Sequence, residues 1–382
     1  MSIKGRAYMA GIFEHPLRKN TDKSVAQLHA ECAKGALEDA GLTFKDVDAY
    51  FCSGDAPGLG ALSMPDYMGL SVKHLDSTNT GGSSYLYLVG HAAEAIAAGK
   101  IKVALITCAG MGRKGTAVRE SGGPETPFES PYGPVTVNLY AMAAQRHMYQ
   151  YGTTSEQLAW IKVAASHHAQ HNPHAFLKNV VTVEEVLDSP MIADPLHRLD
   201  CCVVTDSGGA VVMAAPEIAK SLKKPGIKLI GQGEAPKGQK GGQIDLTYTG
   251  AVISGPIAFA EAGVKPADIK YASIYDSFTI TVLEQIEDLG FCKKGEGGKF
   301  VADGNLISGV GKLPFNTDGG GLCNNHPGNR GGMTKVIEAV RQLRGEAHPA
   351  VQVKNCRLAL ANGTGGQLAS RHGSATLVLE RA

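Results

Sequence analysis

Four short segments of this chain hold residue types able to do chemistry near neutral pH. The run LPFNTDGGGLCNNHPGNRGG, residues 313 to 332, places His326 in a glycine-rich loop with Asn316 and Cys323 upstream. Histidine is the commonest acid or base at such pH, and glycines let backbone approach a ligand closely. Cys323 has two readings, a displaced nucleophile or a packed thiol, and free cysteine usually behaves as a small buried hydrophobe. The second segment is Tyr275-Asp276-Ser277-Phe278. A buried phenol donates a hydrogen bond to an oxyanion or, if its pKa falls, accepts a proton. The third is Gly363-Thr364-Gly365-Gly366, which offers either backbone N–H donors to an oxyanion or a tight turn of positive φ. The fourth, Ser77-Thr78-Asn79-Thr80, precedes a helix expected from about Ser83 to Ala98. The Asn79 amide there either bonds a substrate oxygen or caps the helix. Its hydroxyl neighbours would need a base to become nucleophiles, so capping is their expected duty.

Three other features carry less. His167, His171 and His174 have a spacing that would set three metal ligands on one helical face, but Pro173 breaks the helix before the last of them. No metal is expected. Cys201-Cys202 lies in an apolar, strand-like run and reads as packing. Trp160, Tyr149 and Tyr151 read as core of their own region, or as contacts to an apolar ligand.

Those residues need a large scaffold. At 382 residues the chain exceeds the size at which single cores stop growing, roughly 250 to 300 residues, so a doubled unit is expected. Hydrophobic residues at 43% and charged residues at 19% exclude disorder. With 37 basic and 36 acidic residues the chain lacks the global field that attracts nucleic acid or an anionic membrane. There is no apolar run of about 18 residues, and MSIKGRAYMAG lacks a signal core, so the expected location is cytoplasmic. Eight cysteines without a CxxC pair are expected to be reduced thiols.

Self-comparison supplies the doubling. GALEDAGLTFKDVDAYF (35–51) and IAFAEAGVKPADIKYASI (257–274) match at an offset of 222, with Ala36 on Ala258, Ala40 on Ala262, Gly41 on Gly263 and Asp46 on Asp268. Each copy reads as a helix stopped by glycine, then a turn, then an apolar strand. Residues 91–110 and 335–366 repeat the same order. Helices alternating with short apolar strands imply α/β architecture with helices on both sheet faces. Two sheets sharing central helices would form a five-layered α/β/α/β/α stack. The expected domains are a first half at 1–110, a loop and helix insertion at 111–255, and a second half at 256–382.

Several of these segments, together with VNLYAMAAQRHMYQYGTTSEQLA, HHAQHNPHAFLKN, SPMIADPLHRLDCCVVTDSGGAVV, YDSFTITVLEQIEDLGFC and EAVRQLRG, resemble thiolases of the sterol-carrier and lipid-transfer type. The resemblance spans nearly the whole chain. It implies a duplicated thiolase fold, a homodimer, and a pantetheine tunnel that takes acyl-CoA and CoA as substrates without a resident cofactor. It also implies the option of a small partner subunit built from a zinc ribbon and an OB-fold. The family's nucleophilic cysteine sits at the start of a buried helix, a place that aligns here with Asn79, and residues 53 to 107 contain no cysteine. His326-Pro327 matches the family's His-Pro motif, and Tyr275 stands where related thiolases carry histidine. The catalytic candidates are therefore His326, Tyr275, Asn79 and Cys323. Asn316, Ser277, Gly363, Thr364 and Gly365 are candidate oxyanion or substrate contacts. The resemblance points to acyl transfer beside a CoA thioester. Two alternatives stand beside it: retro-aldol cleavage of a β-hydroxyacyl-CoA, as in steroid side-chain aldolases of the superfamily that also lack the cysteine, and a non-catalytic CoA-thioester-binding subunit. Those aldolases usually carry a second tyrosine where this chain keeps His326.

Overall fold

The computed structural model describes residues 2–114, 124–238, 244–328 and 330–382. Its strands are β1 (Tyr8–Glu14), β2 (Ala49–Cys52), β3 (His74–Ser77), β4 (Val103–Met111), β5 (Met191–Ala193), β6 (Leu196–His197), β7 (Asp206–Ala214), β8 (Ile227–Lys237), β9 (Tyr271–Ile274), β10 (Leu358–Gly366) and β11 (His372–Arg381). The helices of the first half are α1 (Val25–Ala40), α2 (Ser63–Met68) and α3 (Ser84–Ala97). Then come α4 (Thr126–Glu129), α5 (Thr136–Tyr151), α6 (Ser155–Ala169), α7 (Val183–Leu187) and α8 (Pro216–Ala219). The second half carries α9 (Ala251–Ala262), α10 (Thr279–Asp288), α11 (Gly297–Val301) and α12 (Gly332–Arg344).

The repeat is structural. Helix α1 begins on a Ser24 capping box with Gln27 and stops at Gly41, whose φ of 71° only glycine adopts freely. Helix α9 stops in the same way at Gly263, with φ 70°. Each is followed by a short turn and a fully buried strand, β2 or β9. A glycine on the neighbouring strand lets each helix lie close. A Cβ on Gly11 would fall 2.1 Å from the Ala36 carbonyl oxygen, and one on Gly231 would fall 2.2 Å from that of Ala258.

The strands form a sheet of nine in the order β3-β2-β4-β7-β1-β8-β11-β10-β9. Its halves mirror each other about the β1–β8 junction. There only Tyr8↔Lys228 and Met9↔Ile227 pair, whereas β1 and β7 share six pairs. In the second half, Phe315 bridges to Ala272 where β3 stands in the first. Helices α3 and α12 touch strands of both halves, α1 covers β1, β4 and β7, and α9 covers β8 and β11. The five layers follow, but the two sheets are joined edge to edge by a brief junction rather than being separate.

The expected insertion at 111–255 is too broad. It contains β7 and β8, which are central strands of the sheet. Both faces of β7 are buried, so it has none of the alternation that marks a half-exposed strand, and Gly208 and Gly209 interrupt its apolar run. The added region is the stretch with α4 to α7 and the β5–β6 hairpin. Within it α5 and α6 pack on α10, and Thr154 caps α6 through a box with Gln157. Tyr149 is 85% exposed, so it is not core.

The close strand–helix approach yields a stability prediction. Gly231→Ala is expected to cost about 1–3 kcal/mol in denaturant unfolding, because the methyl group would meet backbone rather than a flexible side chain. Gly238→Ala, where the methyl group meets open space, is expected to stay within about 0.5 kcal/mol of the parent.

Candidate active site

The N-terminal ends of the two central helices converge on one place. The short 3-10 turn Gly81–Ser83 leads into α3, and Gly331 caps α12. Tyr275, which follows β9, and His326, which follows a π-turn at Gly320–Asn324, lie over these ends. Both approaches depend on glycine. A Cβ on Gly82 would sit 2.3 Å from the Tyr275 ring, and one on Gly331 would sit 2.8 Å from the His326 ring. The positive ends of the two helix dipoles therefore face the pair, an arrangement that favours negative charge developing there.

The two side chains are hydrogen-bonded to each other, with Tyr275 Oη 2.8 Å from His326 Nε2. The other ring nitrogen, Nδ1, lies 3.6 Å from Cys202 Sγ. The His326 backbone N–H donates to Thr205 Oγ1 at 3.0 Å, which fixes the loop against the start of β7. Asp276, next to Tyr275, accepts from the N–H groups of Gly321 at 2.8 Å and Leu322 at 3.1 Å. It also forms a 2.7 Å ion pair with Lys335 of α12, which is 1% exposed. One carboxylate thus ties the tyrosine, the π-turn and the helix together.

Burial sets the protonation states. It drives the His326 imidazole down to about 4 and raises the Tyr275 phenol well above its ordinary value. It also pushes the Cys202 thiol up to about 12, with the charge of Asp276 as the next cause. At neutral pH the trio is a neutral imidazole, a neutral phenol and a thiol. The imidazole can accept a proton and the phenol can donate one.

Asn79 is at the rim of the same cavity, a space of about 1150 Å³. Its Oδ1 accepts from Arg330 Nη1 at 2.8 Å, and Arg330 also donates to Ser53 Oγ at 3.0 Å. The amide oxygen anchors Arg330 and also accepts, at 3.5 Å, from the Gly81 N–H at the start of the turn that leads into α3. Ser277, Thr364 and Gly365 also line the cavity.

Three expected site residues lie elsewhere. Asn316 is fully buried with both amide arms on Ile274, 2.8 Å from its N and 2.8 Å from its O, so it completes the edge of β9. Cys323 packs in the core beneath α5, α6 and α10. Gly363 makes room for Leu86 and Ser83 of the central layer. Of the three spaced histidines, none completes a shared helical face, because α6 ends at Ala169; His171 instead stacks on His348 at 4.9 Å. Cys202, Arg330, Thr205 and Lys335 were not legible as site residues. The Cys201-Cys202 doublet was visible, but only the fold sets its second sulfur beside His326.

Comparison with known proteins shows the family. The thiolase C-terminal domain-like family model matches residues 233–381. An acetyl-CoA acetyltransferase of Methanothermobacter thermautotrophicus is 32% identical, covering 90% of this chain and 92% of its own. A steroid side-chain-cleaving aldolase of Thermomonospora curvata is 34% identical, covering 90% and 91%. This chain belongs to the thiolase superfamily. The solved structure of an Ltp2-ChsH2(DUF35) aldolase superposes with a TM-score of 0.90 at 31% identity, covering 99% of this chain and 98% of that one. Human mitochondrial 3-ketoacyl-CoA thiolase has the same fold at a TM-score of 0.74 and 13% identity. On this scaffold Asn79 stands just before the turn that leads into α3, and residues 53 to 107 contain no cysteine.

Burial of His326 has a direct spectroscopic consequence. A histidine in water titrates near 6.5, so the depressed value keeps this ring neutral as pH falls through that range. In an NMR titration of 15N-histidine-labelled protein, its ring nitrogens are expected to keep the neutral pattern past pH 6.5 and to protonate only near about 4. A midpoint at the ordinary value would show that the ring is solvated.

Proposed function

We propose that this protein acts on acyl-CoA, making or breaking the carbon–carbon bond beside the thioester, and that retro-aldol cleavage of a β-hydroxyacyl-CoA is the reaction its site supports best. The observation that carries this reading is the Tyr275–His326 pair, hydrogen-bonded at 2.8 Å over two helix N-termini. Retro-aldol cleavage needs a base and an enolate site but no covalent carrier. The β-hydroxyl proton passes to Tyr275 Oη as the phenol gives its own proton to His326 Nε2. The Cα–Cβ bond breaks, Cβ leaves as a ketone or aldehyde, and the electron pair moves onto the thioester as an enolate. Helix N–H groups stabilise that charge, and protonation at Cα releases the shortened acyl-CoA. The similarity to two aldolases supports the same reading.

A second reading, thiolytic acyl transfer, is favoured by one contact. Cys202 Sγ lies 3.6 Å from His326 Nδ1, so a sulfur and a base are adjacent although the helix start lacks a cysteine. The high pKa of that thiol weighs against it.

Assembly and location complete the proposal. Strand β3 is an edge strand with one unpaired side and an exposed Leu75, which supports a homodimer formed along it. The similar aldolase is described as a complex with a DUF35 chain, which supports a small zinc-ribbon and OB-fold partner here. Among the described residues no helix is long and apolar enough to cross a membrane, and we place the protein in the cytoplasm.

The test supplies the protein, alone and with a co-encoded DUF35-type chain, with a β-hydroxyacyl-CoA and separately with a β-ketoacyl-CoA plus CoA. A carbonyl product with acyl-CoA from the first substrate is expected. Products only from the second, with an acyl mass on Cys202, would replace the aldol reading by thiolysis. Tyr275→Phe and His326→Ala are each expected to lower kcat by about 10²–10⁴-fold. Binding without turnover of either substrate would leave only the non-catalytic subunit role.

A further inference from the structure

A second polar cluster shares this cavity and is used by no step above. Pairing of β10 with β11 sets Thr364 opposite Ser374 and Gly366 opposite His372, so the side chains of Thr364 and His372 are diagonal neighbours on one sheet face. Ser374, on that same face, bonds Ser254 of α9, so the face looks away from the central helices toward α9 and α10. Lys237 is the direct partner of His372 across β8 and β11. Helix α10 adds Glu284, which is fully buried; that burial raises its carboxyl well above the ordinary value, with the charge of Asp288 as the next cause and those of Lys294 and Lys237 as lesser, opposing ones.

Nothing among the described residues satisfies these groups. Thr364 Oγ1, both ring nitrogens of His372 and both carboxyl oxygens of Glu284 are buried without a hydrogen-bond partner. Three such atoms side by side, on Thr364 and His372, are far from the norm for buried polar groups, which are nearly always paired with protein, water or a ligand. Thr364, His372 and Lys237 wall the same cavity as Tyr275 and His326. The ammonium of Lys237 is already taken by the carbonyl oxygens of Asp245 at 2.5 Å, Tyr248 at 2.6 Å and Leu368 at 2.9 Å. Its three donors are therefore all engaged, and none remains for an anion. Burial also acts against charge on the other two groups, holding the imidazole of His372 at about 3 and raising the carboxyl of Glu284 well above its ordinary value.

We propose that Thr364 and His372, backed by Glu284, form a subsite for an uncharged oxygen substituent, a hydroxyl or ketone, on the acyl part of the CoA thioester. The inference rests on the acyl-CoA reading above and names its substrate class: oxygenated acyl groups rather than plain hydrocarbon ones. A hydroxyl group on the sugar or nucleotide end does not fit, because that end carries phosphates that must stay near water, whereas His372 is 2% exposed and Thr364 and Glu284 are fully buried. The chemistry is matched. A neutral imidazole offers one donor and one acceptor, the threonine hydroxyl offers both, and a protonated carboxyl adds a further donor. A site built this way discriminates strongly against an analogue that leaves its polar groups unpaired.

Binding, not turnover, provides the test. Isothermal calorimetry compares ω-hydroxyacyl-CoAs, from hexanoyl to dodecanoyl, with the unsubstituted thioester of equal length and with free CoA. At one or more lengths the hydroxylated ligand is expected to bind about tenfold tighter or better. Thr364→Val and His372→Phe, which keep shape while removing the polar atoms, are expected to bring that ratio close to one and to leave the affinity for free CoA as it was. Equal affinities at every length in the parent protein would overturn the subsite and assign its polar atoms to water. Weaker binding of free CoA by His372→Phe would also overturn it, by placing the imidazole on the pantetheine arm. If a variant fails to fold, the comparison in the parent protein still decides. Thioester binding without a preference sinks this inference alone, whereas no binding of any thioester sinks the acyl-CoA reading with it.

Discussion

A carboxylate shut away from water organises the active end of this molecule. Asp276 is fully buried, and its two oxygens receive the N–H groups of Gly321 and Leu322 and the ammonium of Lys335. Removing both charges from water is costly, and their attraction offsets that cost only where the remaining bonding capacity is also met. Two backbone donors meet that of the carboxylate here. The result is a junction between β9, the π-turn and α12. The neighbours of that junction, Tyr275 on one side and the His326 loop on the other, inherit their positions from it.

Close packing then turns position into chemistry. Gly82 and Gly331 leave no side chain between the aromatic rings and the helix ends, so the dipoles act at short range. The same exclusion of water removes charge from the groups themselves, which leaves His326 as an unprotonated acceptor and Tyr275 as a proton donor. The helix start holds Asn79 bonded to Arg330, which also reaches Ser53. Hydrogen bonding and polarisation are available at that helix, and covalent capture by sulfur is not. The nearest sulfur to the imidazole is on a different element, at Cys202.

Much of the fold was legible from local pattern. The offset of 222 between Gly41 and Gly263 marked two equivalent helix stops, and the structure places both in the left-handed conformation. Helix–strand alternation anticipated layers, yet the strand that ends the first half and the strand that begins the second were absorbed into a supposed insertion. The first of them, β7, is buried on both faces and has no polar–apolar rhythm to announce it. The site shows the same division. His326 and Tyr275 stood out because their residue types and glycine-rich setting are unusual. Asn316 stood in an equally suggestive run and proved to be holding a strand edge.

The sequence by itself determined the doubled helix–strand order, the presence of Tyr275 and His326, and the absence of cysteine from residues 53 to 107. These are matters of residue identity and of short-range periodicity, which local sterics and the helix and strand repeats express directly. Only the tertiary structure decided that Cys202 meets His326 across 124 residues, that Lys335 pairs with Asp276, and that Thr364 and His372 share one sheet face with their polar atoms unpaired. It also decided which groups are charged. Contacts between distant segments depend on which surfaces leave water together, and a buried group's pKa depends on everything that replaces that water.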